Sequence, residues 1–416
     1  MDILFLTQFC TPEPFPRSVP LARELLSRGH QVRIVTGFPN YPGGHIYSGY
    51  RQRLWQRETL EGVPITRVPL YPSHDASGFR RLLCYGSFFA SCLPPLLLTE
   101  KPDLIYAYAP PTKGLAAVLA GAVRSVPFVY DVQDLWPDAL LNSGMARRWM
   151  LGPVRAVCNL IYRRAARILT LSPGFKRALE ARGVSGEKIE TIYNWCDEDQ
   201  LMGPTARPLP SREPAFAGRF NILFAGGMGK AQGLHAVIEA AALVEPLNPR
   251  IQFVFMGSGR LLEELKTQAA AHAPRTTLFL PRRPMREAAG VLQAADVLLV
   301  HLRKHPLYEI TIPSKTQAYL AMGKPILMGV AGDAASLVCR AGAGLRCEPE
   351  APQSIAQAAL RLAELPSETL QDLGRSGRDF YQANLSLRVG AARMETLFLE
   401  AIRAPHIAIN PQPSVG

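Results

Sequence analysis

Short apolar runs alternate with helix-length amphipathic stretches twice along this chain, and the alternation starts afresh after a proline-rich break. Residues 3–7 (Ile3-Leu4-Phe5-Leu6-Thr7) read as a strand. Residues 20–28 put Leu21, Leu25 and Leu26 on one helical face, Gly29 stands at the helix end, and 31–36 read as the next strand. Strand, helix and strand in so short a stretch form a βαβ unit, which makes the sheet parallel. Further strands are expected at 65–68, 104–108, 128–131 and 168–171. Between 197 and 219 prolines collect and the apolar period lapses, as in a linker. The plan then restarts, with strands at 221–224, 251–256, 278–280, 297–300 and 326–328 and helices at 233–244 and 260–270. An amphipathic helix over 387–403 and a frayed tail over 404–416 complete the chain.

The expected organisation is a first domain over 1–196, a linker over 197–219 and a second domain over 220–385. Helix 386–403 is expected to pack back on the first domain, with the tail at 404–416. Both domains are α/β, doubly wound and Rossmann-like. Such sheets bind ligands at the carboxyl ends of their strands, so the expectation is a ligand crevice where two of them face each other across a cleft. The length of 416 residues agrees, since one ordinary core seldom serves so many.

Lys and Arg number 46 against 34 Asp and Glu, a formal charge of +12, which suits phosphate-bearing ligands or an anionic membrane surface. No recognition-module signature accompanies the charge, so nucleic acid is not expected as a partner. The seven cysteines are scattered without a CxxC or a metal spacing, which reads as buried, reduced thiols. No metal is expected. The chain enters its first strand directly from Met1-Asp2, without a basic segment or a cleavage site. The most apolar stretch, 88–98, is interrupted by Pro94-Pro95 and falls short of a bilayer span. A cytoplasmic chain is therefore expected, at most peripheral on the inner face of the membrane. The run 78–98 begins with Arg80 and Arg81 and turns aromatic and leucine-rich; it is either a surface that rests on the inner leaflet or a helix packed on the sheet. Arg147-Arg148-Trp149 and Arg163-Arg164 extend a basic surface or are solvated faces.

Two segments of the second half have the makings of anion sites. Gly226-Gly227-Met228-Gly229-Lys230 turns between a strand and a helix, where glycines admit an anion to the backbone and Lys230 adds charge. It is neither a Walker A motif nor a strict GxGxxG. Gly257-Ser258-Gly259 repeats the logic one strand later, or is a tight turn. Ile312-Pro313-Ser314-Lys315 opens a helix with Lys315 at its start. Two such sites could hold the two phosphates of a nucleoside diphosphate. His301 and His305 read as solvated loop residues.

These segments, with Tyr319-Leu320-Ala321-Met322-Gly323-Lys324-Pro325, resemble the donor half of family 4 retaining glycosyltransferases. In the first half Gly29-His30-Gln31-Val32, Thr36-Gly37-Phe38-Pro39-Asn40-Tyr41-Pro42 and Asp131-Val132-Gln133-Asp134-Leu135-Trp136-Pro137 are similar to the bacterial subgroup that makes O-antigen, capsule and colanic-acid-type polysaccharides. The resemblance spans about residues 1–400. It implies a GT-B fold and transfer of a hexose or N-acetylhexosamine from a UDP-sugar to a glycan acceptor carried on a polyprenyl diphosphate. The reaction is expected to be retaining and metal-independent, with no cofactor beyond the UDP-sugar co-substrate. The implied donor residues are Gly227, Gly229, Lys230, Gly257, Gly259, Leu280, Arg282, Glu309, Ile312, Pro313, Ser314, Lys315 and Gln317, with Glu309, Lys230 and Lys315 nearest the chemistry. The implied acceptor side is Pro12, Glu13, Arg17, Asp131, Asp134 and Trp136. Three departures stand out. Ala318 replaces the glutamate expected on the ribose, with Gln317 beside it; Glu309 is one residue off register; and Phe15-Pro16-Arg17 replaces a glycine-rich loop. A sugar-nucleotide epimerase of the same plan and a catalytically degenerate, transferase-like binding subunit are the alternatives.

Overall fold

The computed structural model describes residues 1–14, 17–73, 78–142, 151–203 and 214–404. Phe15-Pro16, Arg147-Arg148-Trp149, the middle of the expected linker and the tail from 405 lie outside them.

The chain divides into two compact units. The first, Met1–Leu171 with Phe175–Ile192 and the residues from Ala391, is built on eight strands. These are β1 (Asp2–Leu6), β2 (Gln31–Gly37), β3 (Gln56–Leu60), β4 (Val63–Val68), β5 (Leu104–Tyr108), β6 (Phe128–Val132), β7 (Arg167–Thr170) and β8 (Ile189–Thr191). Their order is β3-β4-β2-β1-β5-β6-β7-β8, with every pairing parallel except β3 on β4. The second unit, Tyr193–Gly390 with Ser172–Gly174, holds β9 (Phe220–Gly227), β10 (Ile251–Ser258), β11 (Thr277–Pro281), β12 (Val297–His301), β13 (Ile326–Gly329) and β14 (Gly344–Arg346). Its all-parallel order, β11-β10-β9-β12-β13-β14, is the 3-2-1-4-5-6 pattern of a doubly wound fold. The first unit repeats that pattern over β4-β2-β1-β5-β6-β7, with the hairpin strand β3 added at one edge and the parallel strand β8 at the other. The crossover direction reverses between β1 and β5 in one unit and between β9 and β12 in the other, and it is beside such reversals that ligand crevices form.

Why the strands read as unbroken apolar runs is visible in the second unit. Leu223 of β9 and Leu298 and Val300 of β12 enter one core, while Ile222, Phe224, Val297 and Leu299 enter another. Successive side chains of a strand point to opposite faces, and helices cover both, so every position is buried.

The structure corrects the expected linker. The second unit begins at Tyr193, and residues from 197 on build part of it. Asp197 caps a short helix, Glu198–Met202, through Gln200 N (3.1 Å), and Leu201 and Phe216 enter the core. A five-residue helix is too brief to show a period. The helix Leu387–Arg403 serves both units: Leu387 N bonds Glu198, and Glu395 binds Arg28 and His30 of the first unit.

Proline does not break the apolar stretch. The first unit carries α1 (Ser18–Ser27), α2 (Gly78–Leu98) and α3 (Pro111–Arg124), and α2 runs through Pro94 and Pro95. Residues 79–98 are therefore long and apolar enough to cross a membrane by length and composition, contrary to expectation. Six cysteines are buried as expected, but Cys339 is exposed.

Candidate donor and acceptor sites

Lys315 is the second residue of the helix Ser314–Met322, whose start has no side-chain cap, so its first amide N–H groups and helix dipole are turned toward any anion placed there. The lysine folds back under this helix start. Its Nζ lies 3.5 Å from the centre of the Phe224 ring, and its far end lies against Gly226, where a Cβ would stand 2.8 Å from Cε and 3.1 Å from Nζ. No carboxylate faces the ammonium among the described residues, and burial alone lowers its pKa to about 7. A half-buried cation that faces no carboxylate among the described residues is an unfinished ion pair.

The surrounding backbone is held rigidly. Four residues along the same helix, Tyr319 is buried and its hydroxyl accepts from Ala225 N (3.1 Å), pinning the end of β9 beside the glycine turn. Sequence reasoning quoted Tyr319 in a resembling segment but gave it no role, although its spacing from Lys315 puts both on one helical face. Gly226 has φ of 138° and Gly257 of 151°, and a Cβ on Gly257 would fall 2.0 Å from the Gly226 carbonyl oxygen. One on Gly259 would fall 2.2 Å from the Met228 carbonyl oxygen. Gly257 and Gly259 thus turn their bare faces to the neighbouring turn. Gly229 N donates to the Gln232 side chain (3.0 Å) and Met228 N to the Ser258 carbonyl (2.9 Å). Gly227, by contrast, has open space where a Cβ would be, and Lys230 is exposed beside it.

Other expected donor residues sit differently. Ile312 is buried in the core, Pro313 stands just before the helix without capping it, and Ser314 is exposed. Gln317 is buried, and with its amide turned to donate it reaches the carbonyls of Pro313 (2.8 Å) and Ser314 (3.2 Å), so that group is committed to its own helix. Glu309 ends the helical turn Pro306–Glu309; its carbonyl presses on Gly332 and its side chain is exposed. Leu280 and exposed Arg282 belong to the edge strand β11 and the residues after it.

His301 departs from expectation outright. It is buried at the end of β12, with Nδ1 donating to the Gln232 carbonyl (2.7 Å) and Nε2 accepting from Glu350 N (3.1 Å). Burial lowers its pKa and keeps it neutral. His301→Phe is expected to lower stability by about 2 kcal/mol, because two buried backbone groups lose partners. Thermal melts of both forms check this. Because the unfolded histidine binds a proton more readily, the wild-type chain loses stability as pH falls through the unfolded value near 6.5, and the variant lacks that component.

In the first unit, polar groups gather at the ends of β5 and β6. Asp131 is buried and accepts from the Tyr106 hydroxyl and from Gln133 Nε2 (2.6 Å). Burial raises its pKa, opposed chiefly by Arg17. Arg17 lies 5.7 Å from the Tyr108 ring centre; desolvation pulls its pKa down, and Tyr108 and Asp131 more than offset this. Asp134 is exposed, while the Trp136 indole N–H is buried without a partner among the described residues. Glu13 serves its own loop, accepting backbone N–H groups of Cys10 (2.9 Å), Asn40 (2.8 Å) and Tyr41 (2.8 Å), and Pro12 beside it is exposed. Lys113, which sequence reasoning passed over, is buried with its pKa lowered to about 7 by burial.

Comparison with known proteins adds an independent line. Residues 16–195 match the model of the glycosyl transferase 4-like domain, and 209–380 that of glycosyl transferases group 1. The chain is 30% identical over 324 residues to the "Putative colanic acid biosynthesis glycosyl transferase WcaI" of Escherichia coli, covering 72% of this chain and 75% of that protein. It is 25% identical over 319 residues to the "Probable glycosyltransferase WbjE" of Pseudomonas aeruginosa, covering 74% of each. Among solved structures, Anabaena HepE in complex with UDP superposes with a TM-score of 0.70 at 17% identity, covering 95% of this chain and 99% of that one. That likeness is one of fold.

Proposed function

Because this chain belongs to the family 4 glycosyltransferases of GT-B fold that serve polysaccharide biosynthesis, we propose that its donor is a UDP-sugar and its acceptor a lipid-linked glycan. The observation that carries the donor half is the half-buried ammonium of Lys315, which faces no carboxylate among the described residues, beside a helix start with no side-chain cap. A diphosphate supplies the missing charge. The uridine nucleotide draws support from HepE, which shares the fold and was crystallised with UDP.

In the reaction the bond between the anomeric carbon and the diphosphate oxygen breaks, and its electron pair leaves with the diphosphate. An acceptor hydroxyl forms the new bond, and its proton passes to the departing diphosphate oxygen. Lys315, Lys230 and the helix dipole stabilise the leaving charge without a metal ion, and the anomeric configuration is retained. Gly227, with its open face, admits the diphosphate to the backbone. Arg17 and Asp131 orient the acceptor in the first unit. A cytoplasmic location at the inner face of the membrane suits a lipid-linked acceptor.

The test is to incubate the chain with UDP-sugars and lipid-linked acceptor, with and without a chelator. The expected result is equal release of UDP in both, matched by growth of the glycan. Binding of UDP-sugar with no turnover on any acceptor would instead mark a binding subunit, a reading that Ala318 favours. Arg17→Met is expected to raise the acceptor KM about tenfold or more, since it leaves Asp131 without its cation. The thermal shift given by UDP-sugar should be unchanged. A variant that lost both would place Arg17 elsewhere in the mechanism.

A further inference from the structure

We propose that the start of α3, with Lys113 and Thr112, is an oxyanion site of the first unit. The acceptor carries a negative charge into it, on a phosphate of its lipid linkage or on a carboxylate of an acidic sugar. This site deepens the reading that the acceptor is a lipid-linked glycan, and rests on it.

Lys113 is the third residue of α3 and is 1% exposed. A helical side chain leans toward the N-terminus of its helix, which carries the ammonium back to the first turn. There its Nζ lies 5.9 Å from the ring centre of Phe9, in the loop after β1. The carboxyl ends of β1 and β5 flank the point where the crossover direction reverses, so this is the crevice of the first unit. Three penalties fall on the ammonium. It has left water, the dipole at this end of the helix repels positive charge, and no hydrogen bond or ion pair meets it among the described residues. Burial lowers its pKa to about 7. A lysine that merely filled space would reach solvent or a carboxylate.

The neighbouring titratable groups do not supply the missing charge. The Cys84 and Cys92 thiols of α2 are held neutral by burial, that of Cys92 pushed up to about 12. Glu13 is taken by three backbone N–H groups. Asp134, on the residues after β6, makes no ion pair with the lysine; it is exposed, so the place borders solvent on that side.

The rest of the turn is equally unfinished. Pro110 and Pro111 have no N–H, so Thr112 offers the first amide of the helix, and it meets no acceptor among the described residues. The Thr112 hydroxyl is buried without a partner among them. The first turn holds no acidic residue and no side-chain cap. A phosphate or carboxylate accepts from amide, hydroxyl and ammonium alike. A neutral sugar hydroxyl would leave the charge unpaired. Gly114 fixes the turn in place: a Cβ there would stand 2.8 Å from Tyr130 and 2.9 Å from Ile161, so α3 sits close on the sheet and its donors are preorganised.

Binding is measured by calorimetry with UDP saturating, so that the donor site is filled. Farnesyl diphosphate is compared with farnesol, and cellobiouronic acid with cellobiose. The wild-type chain is expected to bind the charged member of one pair about tenfold or more tighter than its neutral counterpart. Preference within the first pair marks the lipid linkage as the source of the charge, and within the second an acidic sugar. Lys113→Met removes that preference and raises the KM for lipid-linked acceptor about tenfold or more, while Thr112→Val weakens the preference about threefold. Both variants keep the thermal shift given by UDP, and Lys113→Met melts no lower than wild type because the buried charge is gone. The proposal is overturned if the wild-type chain prefers neither anion, or if Lys113→Met keeps the preference or the acceptor KM; turnover on lipid-linked acceptor would then still uphold the acceptor reading. A wild-type chain without turnover on any lipid-linked acceptor would instead strike that reading, and a preference lost in Lys113→Met would leave the oxyanion site standing.

Discussion

Lys315→Ala abolishes sugar transfer while the chain folds as before. The loss expected in kcat is about a hundredfold to a thousandfold, or roughly 3–4 kcal/mol, the range found when a preorganised group facing developing negative charge is removed. The variant is expected to fold because the lysine costs the empty protein stability. Its pKa is about 7 in the folded chain against 10.5 unperturbed, so the unfolded chain binds the extra proton over that interval. Stability of the ligand-free protein therefore rises with pH between those values and is lowest below them, where the folded state must bury the charge. Removing the side chain removes that cost. Thermal melts near pH 6 should show the variant at least as stable as wild type, while assays with UDP-sugar show turnover slowed about a hundredfold or more. A stable variant with near-normal turnover would mean that the diphosphate leaves from somewhere else.

Gly257→Ala has the largest expected effect on the fold of the second unit. The added methyl would sit 2.0 Å from the Gly226 carbonyl oxygen, at a φ of 151° that side chains rarely adopt. Backbone strain and the forced separation of β9 from β10 together cost about 3 kcal/mol or more. For a unit of this size that corresponds to a fall of roughly 6–12 °C in melting temperature. Nucleotide binding should weaken with it, because the Gly226 turn is what the methyl displaces. Gly227→Ala makes the contrasting case. Its methyl meets nothing within 4 Å, so the melting temperature of the empty protein should hardly change, while UDP-sugar affinity drops if the diphosphate occupies that space. Equal affinity for wild type and Gly227→Ala would leave the open face of the turn without a role.

The central strands of both sheets were legible in the sequence because a strand covered on both faces must be apolar throughout, as Ile3-Leu4-Phe5-Leu6 is. The strands that escaped notice lack that signal. β3 reads Gln-Arg-Glu-Thr-Leu and joins β4 through Glu61-Gly62, both at positive φ, a hairpin turn without the usual asparagine or aspartate. β8 and β14 are three residues each, too short for any period. In the candidate site, Lys315 and the glycine turns could be singled out by residue type and position. What type could not reveal was commitment. Glu13 and Gln317 looked available for ligands, yet each is occupied by backbone groups of its own neighbourhood. His301 passed for a loop residue because its strand ends one position later than the apolar run suggests. Tyr319 opens a segment that carries the resemblance, but its role went unassigned because its hydroxyl acts on β9, far away in sequence.

The half-buried ammonium of Lys315 completes its ion pair only when the nucleotide sugar arrives, and that pairing has a proton signature. Calorimetric titration of UDP-sugar in buffers of different ionisation enthalpy measures the protons taken up, and a UDP-sugar diphosphate has no terminal group titrating near neutrality. Above the ligand-free pKa of about 7 the lysine must gain a proton to pair, so uptake should approach one proton per site by about pH 8.5. Affinity should fall toward about tenfold per pH unit there, and Lys315→Met should show neither effect. Binding with no proton uptake and no pH slope in the wild-type chain would contradict the assignment of Lys315 to the diphosphate.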